Sequence, residues 1–337
     1  IFSDPSLDCD GNGVLDSCEG GFVDSGQELN NFYSYGCALG DLDDDGDLDA
    51  WVANHNQANR VLINGGSGSF SDSGQALGNY RSINVALGDL DGDDDLDAWV
   101  ANGNSQGNRL WINDGMGNFT DSGQNLGNLF STDVSIGDLD GDGDLDAWIT
   151  NQWNGADGSN RVWINDGSGN FNDSGQALGN FASKSVALGD LDGDDDLDAW
   201  VANYNEPNRV WINDGSGNFA DSGQLFGNSR SFGVSLGDLD SDGDLDAWVA
   251  NHNQPNHVWI NDGLGNFSDS GQSLGNAKSQ DVALGDVDCD GDLDAWVANY
   301  NEQNLVWINQ GGIQGGVYGN FTDSGQALGN STSSVVS

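Results

Sequence analysis

The sequence predicts an all-β chain, a β-propeller of four-stranded blades, on three observations. A segment of the type Gly-Asp-Leu-Asp-x-Asp-Gly-Asp-Leu-Asp-Ala-Trp occurs six times, with leading aspartates Asp41, Asp89, Asp138, Asp190, Asp238 and Asp286 spaced 48, 49, 52, 48 and 48 residues apart. A second marker, Phe-x-Asp-Ser-Gly-Gln, starts at Phe22, Phe70, Phe119, Phe171, Phe219, Phe267 and Phe321. Between the two lie short runs of the type Val-Trp-Ile-Asn, bounded by Gly, Asn and Asp. Four short strands per ~48 residues, repeated along a chain, is the pattern of propeller blades. A flat solenoid is the alternative, but its rungs would be shorter and lack the four-strand rhythm.

Taken in order, one unit reads as strand D at 171–176, A at 185–188, B at 197–202 and C at 209–213, with turn-forming connectors. Because units run D, A, B, C, each complete blade takes its D strand from the next unit, giving six complete blades. Residues 22–27 are then a D strand without A, B or C, and 329–337 align with 227–235, the start of an A strand. These are two edges of one further blade. Seven blade positions are expected, the last incomplete, with six-fold closure as the alternative. Residues 1–20 read as a separate N-terminal calcium-loop segment and 21–337 as the propeller.

Composition narrows the function. Asp and Glu number 55 against 8 Lys and Arg, a net charge of −47. Such a chain has no basic surface for nucleic acid and is poorly suited to anionic lipid. No apolar run approaches the ~20 residues of a membrane helix. The 12 Trp and 13 Phe at regular spacing argue against the disorder that so acidic a composition otherwise suggests.

The aspartates fall in the A–B turns with the spacing Asp-x-Asp-x-Asp-Gly-x-x-Asp. Oxygen ligands at positions 1, 3, 5 and 9, with a backbone carbonyl at 7, suit Ca²⁺, and Gly at 6 permits the sharp turn. The candidate ligand sets are Asp41, Asp43, Asp45, Asp47 and Asp49; Asp89, Asp91, Asp93, Asp95 and Asp97; Asp138, Asp140, Asp142, Asp144 and Asp146; Asp190, Asp192, Asp194, Asp196 and Asp198; Asp238, Asp240, Asp242, Asp244 and Asp246; and Asp286, Asp288, Asp290, Asp292 and Asp294. Asp94 and Asp195 stand at position 6 in two copies, and Asp tolerates left-handed backbone better than most residues. The six loops hold 33 Asp, which must repel one another without counter-ions. Mg²⁺ prefers fewer protein ligands, and Zn²⁺ lacks its usual Cys and His. A seventh loop, Asp8, Asp10, Asn12, Val14 and Asp16, has the same spacing, so six or seven Ca²⁺ are expected. Cys9 and Cys18 flank it and suit a local disulfide, which implies an oxidising compartment. Cys37 reads as a small buried residue.

In a propeller, A–B and C–D turns share one face, and B–C and D–A connections share the other. The second face carries what differs between units. His55, Tyr204, His252 and Tyr300 in B–C loops, with Trp153 in an expanded loop, are the candidate ligand contacts. All eight cations map there too: Arg60, Arg109, Arg161 and Arg209 open C strands, and Arg81, Lys184, Arg230 and Lys278 lie in D–A connections. The C-strand arginines read as structural ion pairs or snorkelling stems. The Trp that recurs in every B strand and most C strands reads as packing between blades. The three His have no Ser or Cys at a spacing that suggests a nucleophile, so the chain is not expected to be an enzyme.

The Gly-Asp-Leu-Asp-x-Asp-Gly-Asp-Leu-Asp-Ala-Trp units resemble FG-GAP/VCBS-type repeats, over residues 22 to 337. The resemblance implies a Ca²⁺-binding propeller in an extracellular protein, such as integrin α heads and bacterial surface proteins. The expectation is a secreted or cell-surface, calcium-stabilised adhesion module binding a protein or glycan. The alternative is a structural subunit that self-associates into a filament or sheath, and a polysaccharide-processing enzyme is the weakest reading.

Overall fold

The computed structural model describes residues 22, 24–29, 32–152, 157–329 and 333–334. The N-terminal loop with Asp8, Asp10, Asn12, Val14 and Asp16, the pair Cys9 and Cys18, the boundary at residue 20 and Trp153 all lie outside them. The described residues are all-β apart from one 3₁₀ turn, Gly312–Gln314. Among them no helix is long and apolar enough to cross a membrane.

The strands fall into antiparallel sets in the order A, B, C, D, with D taken from the following unit. One set is Ser183–Gly189, Asp198–Asn203, Arg209–Asn213 and Phe219–Asp221, with Ala187 opposite Trp200, Trp200 opposite Val210 and Trp211 opposite Asp221. The Asp-Ala-Trp-Val-Ala-Asn of strand B is buried at all six positions, as a central strand covered on both faces must be. Six such sets are present among the described residues.

The sets belong to two compact units. The larger spans 27–190 and 194–231 and holds four sets. Its first two merge into a single seven-stranded sheet, because strand Asp49–Asn64 runs through B, loop and C and pairs with Leu77–Gly88. Elsewhere the same pairing survives as single bridges, such as Tyr204 with Arg230. The smaller unit spans 232–336 with 191–193 and the chain up to residue 26. Its two sheets begin at Ser231–Gly237 and Ser279–Gly285.

The seventh position expected from 22–27 has no sheet among the described residues. In the smaller unit, the Phe22 backbone N–H donates to Gln326 Oε1 (3.1 Å), and its ring lies 4.5 Å from Trp296. In the larger unit, the Gln27 amide donates to Gly68 O (2.5 Å) and accepts from Phe70 N (3.0 Å).

Tryptophan and two amides join successive sets. Trp99 and Trp148 are fully buried, and each meets the D-strand phenylalanine of the next set, Phe171 and Phe219, at 4.5 Å edge to face. The expected packing role of the B-strand tryptophans is thus what the structure shows. The Gln that closes the Phe-x-Asp-Ser-Gly-Gln marker clasps the next D strand at Gln75, Gln124, Gln176 and Gln272: Gln124 donates to Gly169 O (2.5 Å) and accepts from Phe171 N (3.0 Å). The Asn that ends strand C reaches back one set, as Asn165 Nδ2 does to Leu90 O (2.9 Å). We expect Trp99→Ala to cost about 3–5 kcal/mol and Gln124→Ala, which orphans Gly169 O and Phe171 N, about 1–3 kcal/mol. Urea unfolding measures both, and the reverse ranking would refute this account of the core.

Candidate metal centres and ligand loops

Each A–B turn is folded by its own carboxylates. The position-1 aspartate accepts from the backbone N–H groups of positions 5 and 6: Asp41 from Asp45 (3.1 Å) and Gly46 (2.9 Å), Asp286 from Asp290 and Gly291 (both 3.0 Å). Asp89, Asp190 and Asp238 do the same in their loops, and Asp138 accepts from Gly141 and Gly143 at positions 4 and 6. The position-5 carboxylate caps position 7, as Asp142 Oδ1 accepts from Asp144 N (3.0 Å). Positive φ at position 6 is taken by Gly143 (95°) and, as expected, by Asp94 and Asp195 (71° each). Position 4 is left-handed as well, in Asp44, Ser241 and Cys289, which the sequence pattern does not reveal.

Position 9 is the most buried. Asp97, Asp146, Asp246 and Asp294 have no exposed surface. Each accepts two backbone N–H groups: Asp97 from Leu90 (3.2 Å) and Asn113 (2.8 Å), and Asp246 from Leu239 (3.0 Å) and Asn261 (2.8 Å). Position 7 does not face inward. The carboxylates of Asp47 and Asp95 lie against Gly66 and Gly115 of the adjoining C–D turns.

Position 3 carries the decisive feature. The Oδ1 atoms of Asp43, Asp91, Asp140, Asp240 and Asp288 are buried and have no hydrogen-bond partner among the described residues. Unpaired buried carboxylate oxygens are costly. Oxygens of Asp89, Asp91 and Asp97 lie within 4.8 Å of one another, and so do those of Asp138, Asp140 and Asp146, and of Asp238, Asp240 and Asp246. Asp41, Asp43 and Asp45 are gathered in the same way. In the last loop Asp290 Oδ2 and Asp292 Oδ2 are also orphaned, and Gln314 from an expanded C–D connection donates to Asp288 Oδ2 (2.6 Å). The donors are oxygen throughout, with several carboxylates and free lone pairs, which fits a hard divalent cation.

The cations all serve the B–C and D–A loops. Arg60, Arg109 and Arg209 stack over Phe32, Tyr80 and Phe181 at 5.0 to 5.1 Å. Arg209 also pairs with Asp221 (3.0 Å), so the structural reading of these arginines holds. Tyr204 lies between Lys184 (5.7 Å) and Arg230 (5.8 Å). Burial, and then the charge of Arg81, push Lys184 down to about 8. His55 sits against Tyr33 and Tyr35, its pKa lowered by burial and by Arg81. In the smaller unit, His252 Nδ1 is 2.7 Å from Gln280 Nε2, near Phe232 and Tyr300. The expected ligand contacts are therefore engaged by near neighbours. Cys37 is half-buried.

The FG-GAP-like repeat family matches residues 41–100, 138–201, 190–249 and 238–297, more than half of the sequence. The chain belongs to the FG-GAP-like repeat family. No curated protein matches it. Among solved structures it is similar to a streptogramin B lyase, with TM-score 0.59 and 14% identity over 90% of this chain and 86% of that one. It is also similar to BBS1N in complex with ARL6DN (TM-score 0.57, 12% identity, 82% and 79% covered) and to a lectin from Burkholderia pseudomallei (0.58, 11%, 87% and 84%). These likenesses establish the β-propeller fold. They also overturn the expectation that this chain is not an enzyme. A lyase shares its architecture, so the fold is one that carries catalysis, and the absence of a nucleophile-like spacing does not set that aside.

The carboxylates make the metal-free FG-GAP-like chain sensitive to pH. Burial, opposed by N–H bonds and reinforced by neighbouring carboxylates, raises Asp97, Asp246 and Asp294 to about 7 and Asp146 to about 6. Burial and then the charges of Asp290 and Asp286 raise Asp288 to about 6. Unfolded Asp titrates near ~3.9. The folded chain therefore binds more protons between pH 4 and 7, and stability falls as pH rises through that window. In excess chelator the melting temperature should be higher at pH 5 than at pH 8. A flat or inverted profile would contradict the placement of these groups.

Proposed function

We propose that this chain is a calcium-stabilised extracellular interaction module whose B–C and D–A loops meet a protein or glycan ligand. The observation that carries the calcium reading is the buried, unpartnered Oδ1 at position 3 of five loops. Asp91, with Asp89 and Asp93 and the remaining lone pairs of Asp97, would hold one ion, and the corresponding residues of the other loops would hold theirs. Two carboxylates 4 Å apart repel by about 4 kcal/mol even at an effective dielectric of ~20, and a bound divalent cation turns that repulsion into a stabilising term. The ion would also hold Asp97 and its equivalents ionised, so calcium and protons compete for the same oxygens.

The interaction reading is supported by the repeat family and by two neighbours, a lectin and a protein complex. It is also supported by the chemistry of the loops, where Tyr204, Tyr300, His55 and His252 place rings beside amides and cations. Rings with nearby hydrogen-bond donors suit both sugar faces and the aromatic anchors of protein partners.

Adding calcium to chelator-treated protein should raise the melting temperature, and most at pH 8, where the carboxylates are ionised. Asp91→Asn should weaken calcium binding at one loop. Melting that is indifferent to calcium would remove the metal from this reading. Ligand class is read from a glycan array and from protein capture, both with calcium present. Binding that survives changes at Tyr204, Tyr300, His55 and His252 would move the site away from these loops.

A further inference from the structure

Strand C of the third set opens with Arg161, and its setting differs from that of its three sisters. Arg60, Arg109 and Arg209 each lie under a ring from the preceding D–A connection: Phe32, Tyr80 and Phe181. Tyr80 and Phe181 fill a niche over a left-handed glycine and beside a C-strand tryptophan. A Cβ on Gly78 would meet Tyr80 and, at 3.2 Å, Trp111, and one on Gly179 would meet Phe181 and, at 3.3 Å, Trp211. The equivalent residue before Arg161 is Leu129. A Cβ on Gly127 would meet only Trp163, at 3.3 Å. The aromatic residue of this connection, Phe130, is one position later and stacks on Arg81 instead (5.0 Å). Among the described residues no ring covers Arg161, and the niche is a cavity of about 230 Å³ lined by Gly127, Leu129, Asp157, Arg161, Trp163 and Asp173.

The guanidinium is nonetheless held in its sisters' manner. Arg161 Nη1 donates to Gln176 O (2.9 Å), as Arg60 does to Gln75 O and Arg109 to Gln124 O. Nη2 donates to Asp157 Oδ2 (2.5 Å), and Asp157 is fixed in turn by Ser159. Both bonds engage the edge of the group and leave its face to the cavity. Asp173 stands in D at the position of Asp221, the ion-pair partner of Arg209, but it is exposed and makes no ion pair with Arg161. The cavity thus presents a cationic plane, an indole wall and a carboxylate acceptor.

We propose that this cavity binds an aromatic amine, a phenol or indole ring carrying an ammonium group. The ring takes the place that Tyr80 and Phe181 occupy in the sister sets, over the Arg161 face, and the ammonium reaches Asp173. The volume is below the roughly 300–1,000 Å³ of drug-sized sites, which favours one ring with a short arm. The strongly acidic chain attracts cations generally. The inference does not rest on the calcium reading.

The test uses the intact chain in saturating calcium, with tyramine as probe and saturation-transfer NMR and calorimetry as readouts. Tyramine should bind, its ring protons should receive saturation, and hexylamine should bind far less well. Leu129→Phe should rebuild the missing ring, abolish tyramine binding and raise the melting temperature. Asp173→Asn, at an exposed position, should fold normally and weaken binding about tenfold, the worth of one charge-assisted bond. No binding to the unaltered chain, equal binding of hexylamine, or full binding to a folded Leu129→Phe chain would each overturn the proposal. Should Leu129→Phe fail to fold, unchanged affinity in Asp173→Asn would overturn it.

Discussion

A buried carboxylate that joins two strands sets the terms for the rest of the structure. In each of Asp97, Asp146, Asp246 and Asp294, one side chain holds the A–B turn through a backbone N–H at position 2 and the end of strand C through another. Without it the turn and the strand would have to find other partners for two buried donors. The same carboxylate is thereby drawn out of water into the company of the aspartates at positions 1, 3 and 5. The four C-strand arginines donate to backbone carbonyls or to carboxylates outside these loops, and Lys278 pairs with Glu302. We propose that protons or a metal relieve this crowding, in competition for the same oxygens.

Much of this was legible in the sequence because the repeat samples one environment six times. The strand order, the borrowing of D from the next unit, the buried role of Trp99 and Trp148, and the gathering of Asp89, Asp91 and Asp97 all follow from period and spacing. What period cannot reveal is which atom meets which. The glutamine of Phe-x-Asp-Ser-Gly-Gln reads as a polar turn residue, yet Gln124 is a clasp between D strands. The asparagine before Asp-Gly reads as turn chemistry, yet Asn165 reaches Leu90 of another set. Their recurrence without exception was the available signal, since turns tolerate Ser or Asp at such places. The merging of the first two sets through Asp49–Asn64 was not legible either, because B–C loops of that length ordinarily turn.

The repeats also separate structure from specificity. The positions that never vary, such as Trp99, Asp97 and Gln124, are spent on packing and on satisfying buried polar groups. The positions that change are those where sister sets offer a built-in comparison. Leu129 replaces a ring, Asp157 enters from an expanded B–C loop, and the last C–D connection lengthens until Gln314 reaches Asp288. Each departure leaves the surrounding clasps in place, which is how a repeat fold gains a local feature without losing its core.

That separation also explains why the fold does not decide what the chain does. A lyase, a lectin and a protein-binding module all share this architecture with it at identities of 11 to 14%. What such likenesses share is the fold, and the repeated part of this chain is occupied with holding that fold together. Chemistry that is particular to this chain must therefore reside where one set differs from the others. There the cost of a missing ring or an added loop is borne by neighbours that remain intact, and among the described residues no ring covers the Arg161 guanidinium.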